Sequence, residues 1–224
     1  MTPLERDLVV FHAVFLTVAI AALVLRGGID HGVVMTYAVL VYHLGSVAVS
    51  TWRGHDRWRR WWTFGAVLSV FMVLPDAVLV RGLGVLEFPP DGAPNLGPVT
   101  AYMAGLWAIP TVVIVGVAEA VAYRRGDRAA AITAALVAVV VFGVAEATLT
   151  LLPVWEPVGV TTIGGFAPYI LLPEVLLGWM MFAGARWTRT GRAIAIVPVA
   201  AGIALTYTGA AAVSWLLIER GLLS

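Results

Sequence analysis

The sequence predicts an all-α, polytopic membrane protein with seven transmembrane helices. Two observations lead to this prediction, the composition and the length of the apolar runs. Of the 224 residues, 61% are hydrophobic and 12% are charged, whereas an ordinary soluble domain has roughly 45–50% and about 25%. Seven runs approach the length of about 20 apolar residues that a helix needs to cross the hydrocarbon core. This composition excludes both a soluble domain and a disordered chain.

Each of the seven runs is predicted to form one helix, and short polar or proline-containing segments connect them. The first run lacks a strong basic leader and a small-residue cleavage site, so we expect it to be a retained helix. Residues 1–224 are therefore expected to form a single integral-membrane domain. The predicted helices are Leu8–Leu25, Val33–Ser50, Thr63–Val80, Val99–Ala122, Ala129–Leu152, Phe166–Ala185 and Ala193–Ile218.

The residue types that the chain lacks exclude several functions. It has no cysteine, which excludes disulfides, iron–sulfur clusters, thiolate zinc sites and cysteine nucleophiles. All 14 basic residues are Arg, so no lysine can form the Schiff base that a retinal protein needs. The net charge of +1 does not indicate nucleic-acid binding, and we expect no nucleic-acid partner.

The arginines predict the orientation in the cell membrane, because cytoplasmic loops retain positive charge during insertion. The N-terminus and the loops after predicted helices 2, 4 and 6 hold 11 of the 14, and the opposite face holds the other three. The N-terminus is thus expected in the cytoplasm and the C-terminus outside. The 11 are Arg6, Arg53, Arg57, Arg59, Arg60, Arg124, Arg125, Arg128, Arg186, Arg189 and Arg192.

Two segments of the chain are similar to each other. Leu74–Leu79 reads LPDAVL and Leu172–Leu177 reads LPEVLL. Because three helices separate them, a true duplication would be an inverted-topology repeat. The repeats would cover residues 1–97 and 98–192, with residues 193–218 as an extra helix; chance similarity of a few common residue types is the alternative.

Three acidic residues are predicted to share one layer of the membrane. At 1.5 Å per residue, Asp76, Glu146 and Glu174 lie about 6, 9 and 12 Å below the outer boundary. An ionisable group at this depth needs a partner or a cavity, and it usually marks a functional site. The alternative is that Asp76 pairs with an arginine and Glu174 bonds a neighbouring helix. Glu119 lies instead near the cytoplasmic end of its helix, where we expect an ion pair with the arginines that follow it.

Prolines precede two of these acids directly, Pro75 before Asp76 and Pro173 before Glu174. Each proline removes a helical donor and leaves a carbonyl four residues earlier, at Phe71 and Tyr169, without its partner. Polar backbone at membrane depth is tolerated where it lines a cavity. The sequence therefore predicts a pocket that opens toward the outer leaflet.

Five aromatic residues are predicted at a similar depth and are candidates to wall this pocket. Ordinary packing at the membrane interface is the alternative for each of them. The candidate substrate-binding residues are Tyr37, Tyr102, Trp107, Tyr169 and Tyr207.

His12 and His43 are predicted at a common depth near the cytoplasmic side. A metal site needs a third or fourth ligand, and only Glu119 is nearby, so interhelical hydrogen bonds are expected instead. The sequence has no phosphate loop, no zinc-protease motif and no Asp-rich diphosphate motif. We expect neither a metal nor a cofactor.

Acids and aromatics in an apolar pocket favour proton-initiated chemistry on a lipid. A carboxyl group in apolar surroundings keeps its proton at neutral pH and can donate it to an alkene or epoxide. The carbocation would be stabilised by aromatic faces, and a second carboxylate would act as the base. Two other classes remain open, a small proton-coupled carrier and a structural or assembly subunit.

The segment Leu172–Phe182, which reads LPEVLLGWMMF, resembles the integral-membrane lycopene cyclases and related membrane terpene cyclases. In that family a Pro-x-Glu-Glu-type motif opens an aromatic-rich helix; here Glu174 follows Pro173 directly and Val175 comes next. The resemblance implies a redox-neutral cyclisation of an isoprenoid or polyene lipid. It also implies Glu174 and Asp76 as the acid and base, and Glu146 completes the candidate catalytic set by its depth.

Overall fold

A computed structural model describes residues 1–149, 151–189 and 193–222. Seven helical segments in these ranges are long and apolar enough to span a membrane, which confirms the predicted fold class. The chain is thus a polytopic membrane protein. The spans are Pro3–Val24, His31–Trp52, Asp56–Leu83, Met103–Arg125, Asp127–Thr148, Pro168–Trp187 and Ile196–Gly221.

The spans are built from α-helices with short π and 3₁₀ segments at their ends. The α-helices are α1 (Pro3–Val24), α2 (His31–Trp52), α3 (Asp56–Phe71), α4 (Val73–Ala77), α5 (Met103–Leu106), α6 (Ala108–Arg125), α7 (Asp127–Thr148), α8 (Leu171–Trp187) and α9 (Ile196–Leu217). The segments Val78–Leu83 and Ile218–Leu222 are π-helical, and Pro168–Ile170 and Ala193–Ala195 are 3₁₀-helical.

The third span is interrupted in its second half. Helix α3 ends at Phe71, and α4 begins at Val73 and contains Pro75. Pro75 has no N–H to donate to the Phe71 carbonyl, so an uninterrupted α-helix loses a bond at this point. The interruption therefore lies where the sequence predicts it.

The described part of the chain contains four two-residue strands, which lie in the loops at one end of the bundle: β1 (Leu86–Glu87), β2 (Asn95–Leu96), β3 (Val99–Thr100) and β4 (Glu156–Pro157). Strand β1 pairs antiparallel with β4, and β2 with β3. The predicted start of the fourth helix at Val99 is wrong, because Val99 and Thr100 pair with β2 and the helix begins at Met103. The fifth helix ends at Thr148, short of the predicted Leu152, and Thr150 lies outside the described residues.

The inner helices enclose a core whose largest buried side chains include Trp58, Phe64 and Met181. Helix α6 packs between α3 and α7, and α8 packs between α7 and α9. Small residues allow close approach, since a Cβ on Gly178 of α8 would overlap Ala138 of α7. Helix α1 is peripheral and exposes most of its apolar side chains, which is the surface expected against lipid.

The two similar segments occupy comparable environments. Each places a buried proline directly before a buried acid, Pro75 before Asp76 and Pro173 before Glu174. The inverted repeat of residues 1–97 and 98–192 stays a prediction. Arg192, one of the arginines assigned to the cytoplasmic face, lies outside the described residues.

Candidate functional site

A cavity of about 950 Å³ lies under the paired loops. It is near the upper end of the range of about 300–1,000 Å³ that is usual for small-molecule sites. Side chains from α1, α2, α4, α6, α7, α8 and α9 line it, together with residues of β1 and β4, and most of them are apolar. The strand pair therefore closes one end of an apolar chamber inside the helix bundle.

All three predicted acids line this cavity. Asp76 belongs to α4, Glu146 to the last turn of α7 and Glu174 to the first turn of α8, and each is buried. Tyr207 of α9 lies within electrostatic range of all three carboxyl groups. Four separate helices therefore bring these groups to one place.

The acids lack the partners that buried carboxylates usually have. Among the residues that the structure describes, none of the three forms a salt bridge. The alternative of an Asp76–arginine pair is therefore not observed in that part of the chain. The buried atoms Asp76 Oδ2 and Glu174 Oε2 also have no hydrogen-bond partner there. Unpaired buried acceptors are costly when the group is charged, and a proton on the carboxyl group lowers that cost.

Glu146 differs from the other two acids because the loop reaches down to it. The indole N–H of Trp155 donates to Glu146 Oε1 at 3.0 Å. Trp155 directly precedes β4 and also lines the cavity. Trp155 is not among the residues that the sequence analysis singled out. The loop is thus tied to the acidic layer.

Local bonding explains how Glu174 reaches the cavity. Pro173 cannot donate to the Tyr169 carbonyl, and the Ser214 hydroxyl of α9 donates to that carbonyl at 2.5 Å. Ser214 and Tyr169 are both buried. The chain changes from 3₁₀ to α-helix at this point, and the Ser214 bond ties the 3₁₀ segment that leads into α8 to α9. Sequence reasoning identified the free carbonyl but not its donor.

The aromatic predictions divide into two groups. Trp107, Tyr169 and Tyr207 line the cavity, and the rings of Trp107 and Tyr207 meet nearly edge to face at 6.1 Å. Trp107 Nε1 is buried without a partner in the described residues, and Trp107 adjoins Asp76. Phe142, which the sequence did not single out, lies 5.6 Å from Trp107 between ring centres.

Tyr37 and Tyr102 do not wall the cavity, contrary to the prediction. Tyr37 is 65% exposed on α2 because its helical position faces away from the bundle. Tyr102 is buried, but its hydroxyl donates to Asp91 Oδ2 at 2.8 Å. It therefore fastens the loop that carries β2 to the start of the fourth span.

The cavity opens sideways between α1 and α7. Ile20 and Val24 of α1 and Val140 and Val144 of α7 line it, and each is more than half exposed. A residue that both lines a cavity and is exposed lies at its mouth. These four side chains are apolar and belong to membrane-spanning helices, so the mouth opens on an apolar outer surface of the bundle.

The two histidines make the interhelical hydrogen bonds that the sequence predicts. His12 Nε2 is 3.2 Å from the Tyr42 hydroxyl, and His12 Nδ1 is 2.8 Å from the Leu8 carbonyl. The Trp62 indole donates to His43 Nδ1 at 3.0 Å, and His43 Nε2 is 3.1 Å from the Gly105 carbonyl. His12 also lines the inner end of the cavity.

Glu119 is paired, but not with the arginines that follow it. It accepts from Arg57 Nη2 at 3.0 Å and lies 3.5 Å from Arg186 Nε. Arg124 instead pairs with Glu5 of α1. The predicted partners are wrong because α3 and α8 bring more distant arginines to the carboxylate.

Comparison with known proteins gives one match. The family described as domain of unknown function (DUF6989) matches residues 73–218, a range that includes Asp76, Glu146, Glu174 and Tyr207. No curated protein and no solved structure matches the chain.

Proposed function

We propose that this chain, which belongs to the family described as domain of unknown function (DUF6989), is a membrane enzyme. Its reaction is the proton-initiated, redox-neutral cyclisation of an isoprenoid or polyene lipid, or a related hydration or isomerisation. One observation carries the proposal: three buried acids without cationic partners meet in an apolar cavity whose mouth opens on an apolar outer surface of the bundle. The resemblance of Leu172–Phe182 to membrane lycopene cyclases supports it.

The mouth favours a membrane-dissolved substrate. A polar solute would have to pass the exposed apolar side chains of Ile20, Val24, Val140 and Val144, whereas a lipid reaches them from the bilayer. The cavity lining includes one arginine, Arg26, but it forms no salt bridge with a lining acid among the described residues.

The acids supply both proton transfers of such a reaction. Asp76 and Glu174 are the proton-donor candidates, since a carboxyl group without a cation is least costly inside a membrane when it carries a proton. The proton adds to one carbon of a C=C bond, whose electron pair forms the new C–H bond and leaves a carbocation. The electrons of a second C=C bond then close the ring.

Glu146 is the proton-acceptor candidate, and the indole N–H of Trp155, which donates to Glu146 Oε1, holds this carboxyl group in place. It removes a proton beside the final cation, and that C–H electron pair forms the product double bond. The product is an isomer of the substrate, so neither an oxidant nor a reductant is needed. The faces of Trp107, Tyr169 and Tyr207 stabilise the cation between these steps.

The orientation proposed from the arginines places this cavity in the outer half of the membrane. The cavity lies at the ends of α1 and α7 and at the beginning of α8, and the N-terminus of α1 is proposed to be cytoplasmic. Its partners are then lipids of the outer leaflet of the cell membrane.

The experiment is product analysis with three matched variants. Asp76→Asn and Glu174→Gln keep the size and hydrogen bonding of the acids but remove the transferable proton. Glu87→Gln removes an exposed acid of β1 that does not line the cavity. The variants are expressed in cells that make linear polyenes or prenylated precursors, and the lipids are extracted.

We expect cyclised lipid from the wild type and from Glu87→Gln, and none from Asp76→Asn or Glu174→Gln. The double variant should be no worse than either single variant if the residues act as one unit. Undiminished product from a folded double variant would contradict the proposed site. An unchanged lipid that crosses the bilayer in a proton-dependent manner would identify a carrier instead.

A further inference from the structure

A second pocket lies at the opposite end of the bundle from the acidic cavity. Its volume is about 310 Å³, and it is formed by the beginnings of α3 and α9 and the ends of α6 and α8. It is lined by Arg57, Arg60, Trp61, Thr63, Glu119, Ala185, Thr188, Arg189 and Ile196. Three of these nine residues are arginines and one is an acid, so the pocket has a surplus of positive charge.

The bonding within the pocket leaves part of that charge unbalanced. Glu119 is buried, and its two oxygens are engaged by Arg57 and by Arg186, which lies beside the pocket. Among the described residues, neither Arg60 nor Arg189 forms a salt bridge or a side-chain hydrogen bond. Arg57 lies 6.0 Å from the centre of the Trp61 ring. One arginine is thus fixed by Glu119, and two others have no anion.

The position of the pocket along the membrane spans indicates which kind of anion can reach it. Arg57 and Arg60 are in the first turns of a span that begins at Asp56, and Arg189 follows a span that ends at Trp187. The pocket therefore lies at the polar edge of the membrane, at the level of lipid headgroups. Guanidinium groups bind phosphate oxygens bidentately, and basic pockets between transmembrane helices bind anionic lipid headgroups.

We propose that this pocket binds the phosphate group of an anionic membrane lipid between Arg60 and Arg189, with Arg57 held beside it by Glu119. The ligand would connect α3, which carries Arg60, with the segment after α8, which carries Arg189. The site does not depend on the function proposed for the acidic cavity. It predicts a preference for anionic over zwitterionic phospholipids.

The test uses the full chain reconstituted in vesicles of phosphatidylcholine and phosphatidylglycerol. After extraction in mild detergent, native mass spectrometry measures the ratio of the two lipids that stay bound. One variant carries Arg60→Gln and Arg189→Gln. The control carries Arg125→Gln and Arg128→Gln, which remove the same charge from the same end of the bundle without touching the pocket.

We expect the wild type and the control to retain phosphatidylglycerol selectively. In the pocket variant the ratio of bound phosphatidylglycerol to bound phosphatidylcholine should fall about tenfold. If the Gln pair does not fold, the Arg60→Lys, Arg189→Lys pair keeps the charge without the bidentate fork and should lose severalfold. An equal loss in the control would overturn the proposal, since it would show a general effect of surface charge. Displacement of the lipid by an equal concentration of inorganic phosphate would overturn the lipid assignment, and no loss in either pocket variant would overturn the site.

Discussion

Ser214→Ala tests whether a hydroxyl on α9 replaces the helical donor that Pro173 lacks. In the structure the Ser214 Oγ donates to the Tyr169 carbonyl at 2.5 Å, and both residues are buried. The alanine would leave this carbonyl without its donor. An unsatisfied buried acceptor costs about 1–3 kcal/mol, and for a chain of this length the unfolding midpoint should fall by about 3–9 °C.

Thermal unfolding in one detergent, followed by circular dichroism, measures this change. Ser50→Ala is the matched control: Ser50 is equally buried, but its hydroxyl donates at 3.2 Å to Val47, a carbonyl inside its own helix. That carbonyl sits in the uninterrupted helix α2, where the backbone supplies its usual donor. The control should therefore lower the midpoint by less than Ser214→Ala.

A second variant distinguishes the proposed cause from a general packing defect. Pro173→Ala restores a backbone N–H at the position that normally bonds the Tyr169 carbonyl. Ser214→Ala should then cost less in the Pro173→Ala background than in the wild type, and the double-mutant cycle gives the difference. Equal costs in both backgrounds, or a Ser214→Ala midpoint equal to that of the control, would refute the reasoning.

Three further predictions concern the mouth, the packing and the orientation. Val144→Trp should narrow the mouth and abolish most product formation. The control Ile132→Trp changes a residue that is exposed on the same helix but lies outside the cavity, and it should leave product formation unchanged. Equal product levels from the two variants would contradict entry of the substrate between α1 and α7. Gly178→Ala should destabilise the fold by about 1–3 kcal/mol because its Cβ overlaps Ala138. In the control Gly202→Ala the new Cβ meets no atom within 4 Å, so this variant should be neutral or stabilising. Chemical denaturation measures the free energy of unfolding of both variants. A reporter enzyme that works only outside the cytoplasm should be active when it is fused to the C-terminus. Activity of a reporter that works only in the cytoplasm would contradict the proposed orientation.

Local patterns were sufficient for the helices and for the acidic layer. The seven spans follow from the length of the apolar runs, and the proline before each of Asp76 and Glu174 indicated where the helices deform. Those signals are contained in a few neighbouring residues. The side of a helix that faces the bundle is not, so Tyr37 was assigned to the cavity although it faces outward.

Pairings that the apolar pattern does not encode account for the rest. Trp155 reaches Glu146 because β4 pairs with β1, a strand pair that joins loops about seventy residues apart. Val99 and Thr100 fit an apolar helical run, but β-branched residues also favour strands, and pairing with β2 decided between them. The partner of Glu119 was likewise set by the packing of α3 and α8. The apolar pattern contains no signal for these contacts.

Deuterium incorporation tests the central claim, proton-initiated chemistry in the acidic cavity, most directly. The purified protein is reconstituted with linear polyene substrates in D₂O, so that the exchangeable protons of Asp76 and Glu174 become deuterons. The account predicts a cyclic isomer with one deuterium on carbon from the wild type, and no product from Glu174→Gln. A cyclic product without solvent deuterium, or substrates that a folded wild-type protein leaves unchanged, would contradict it.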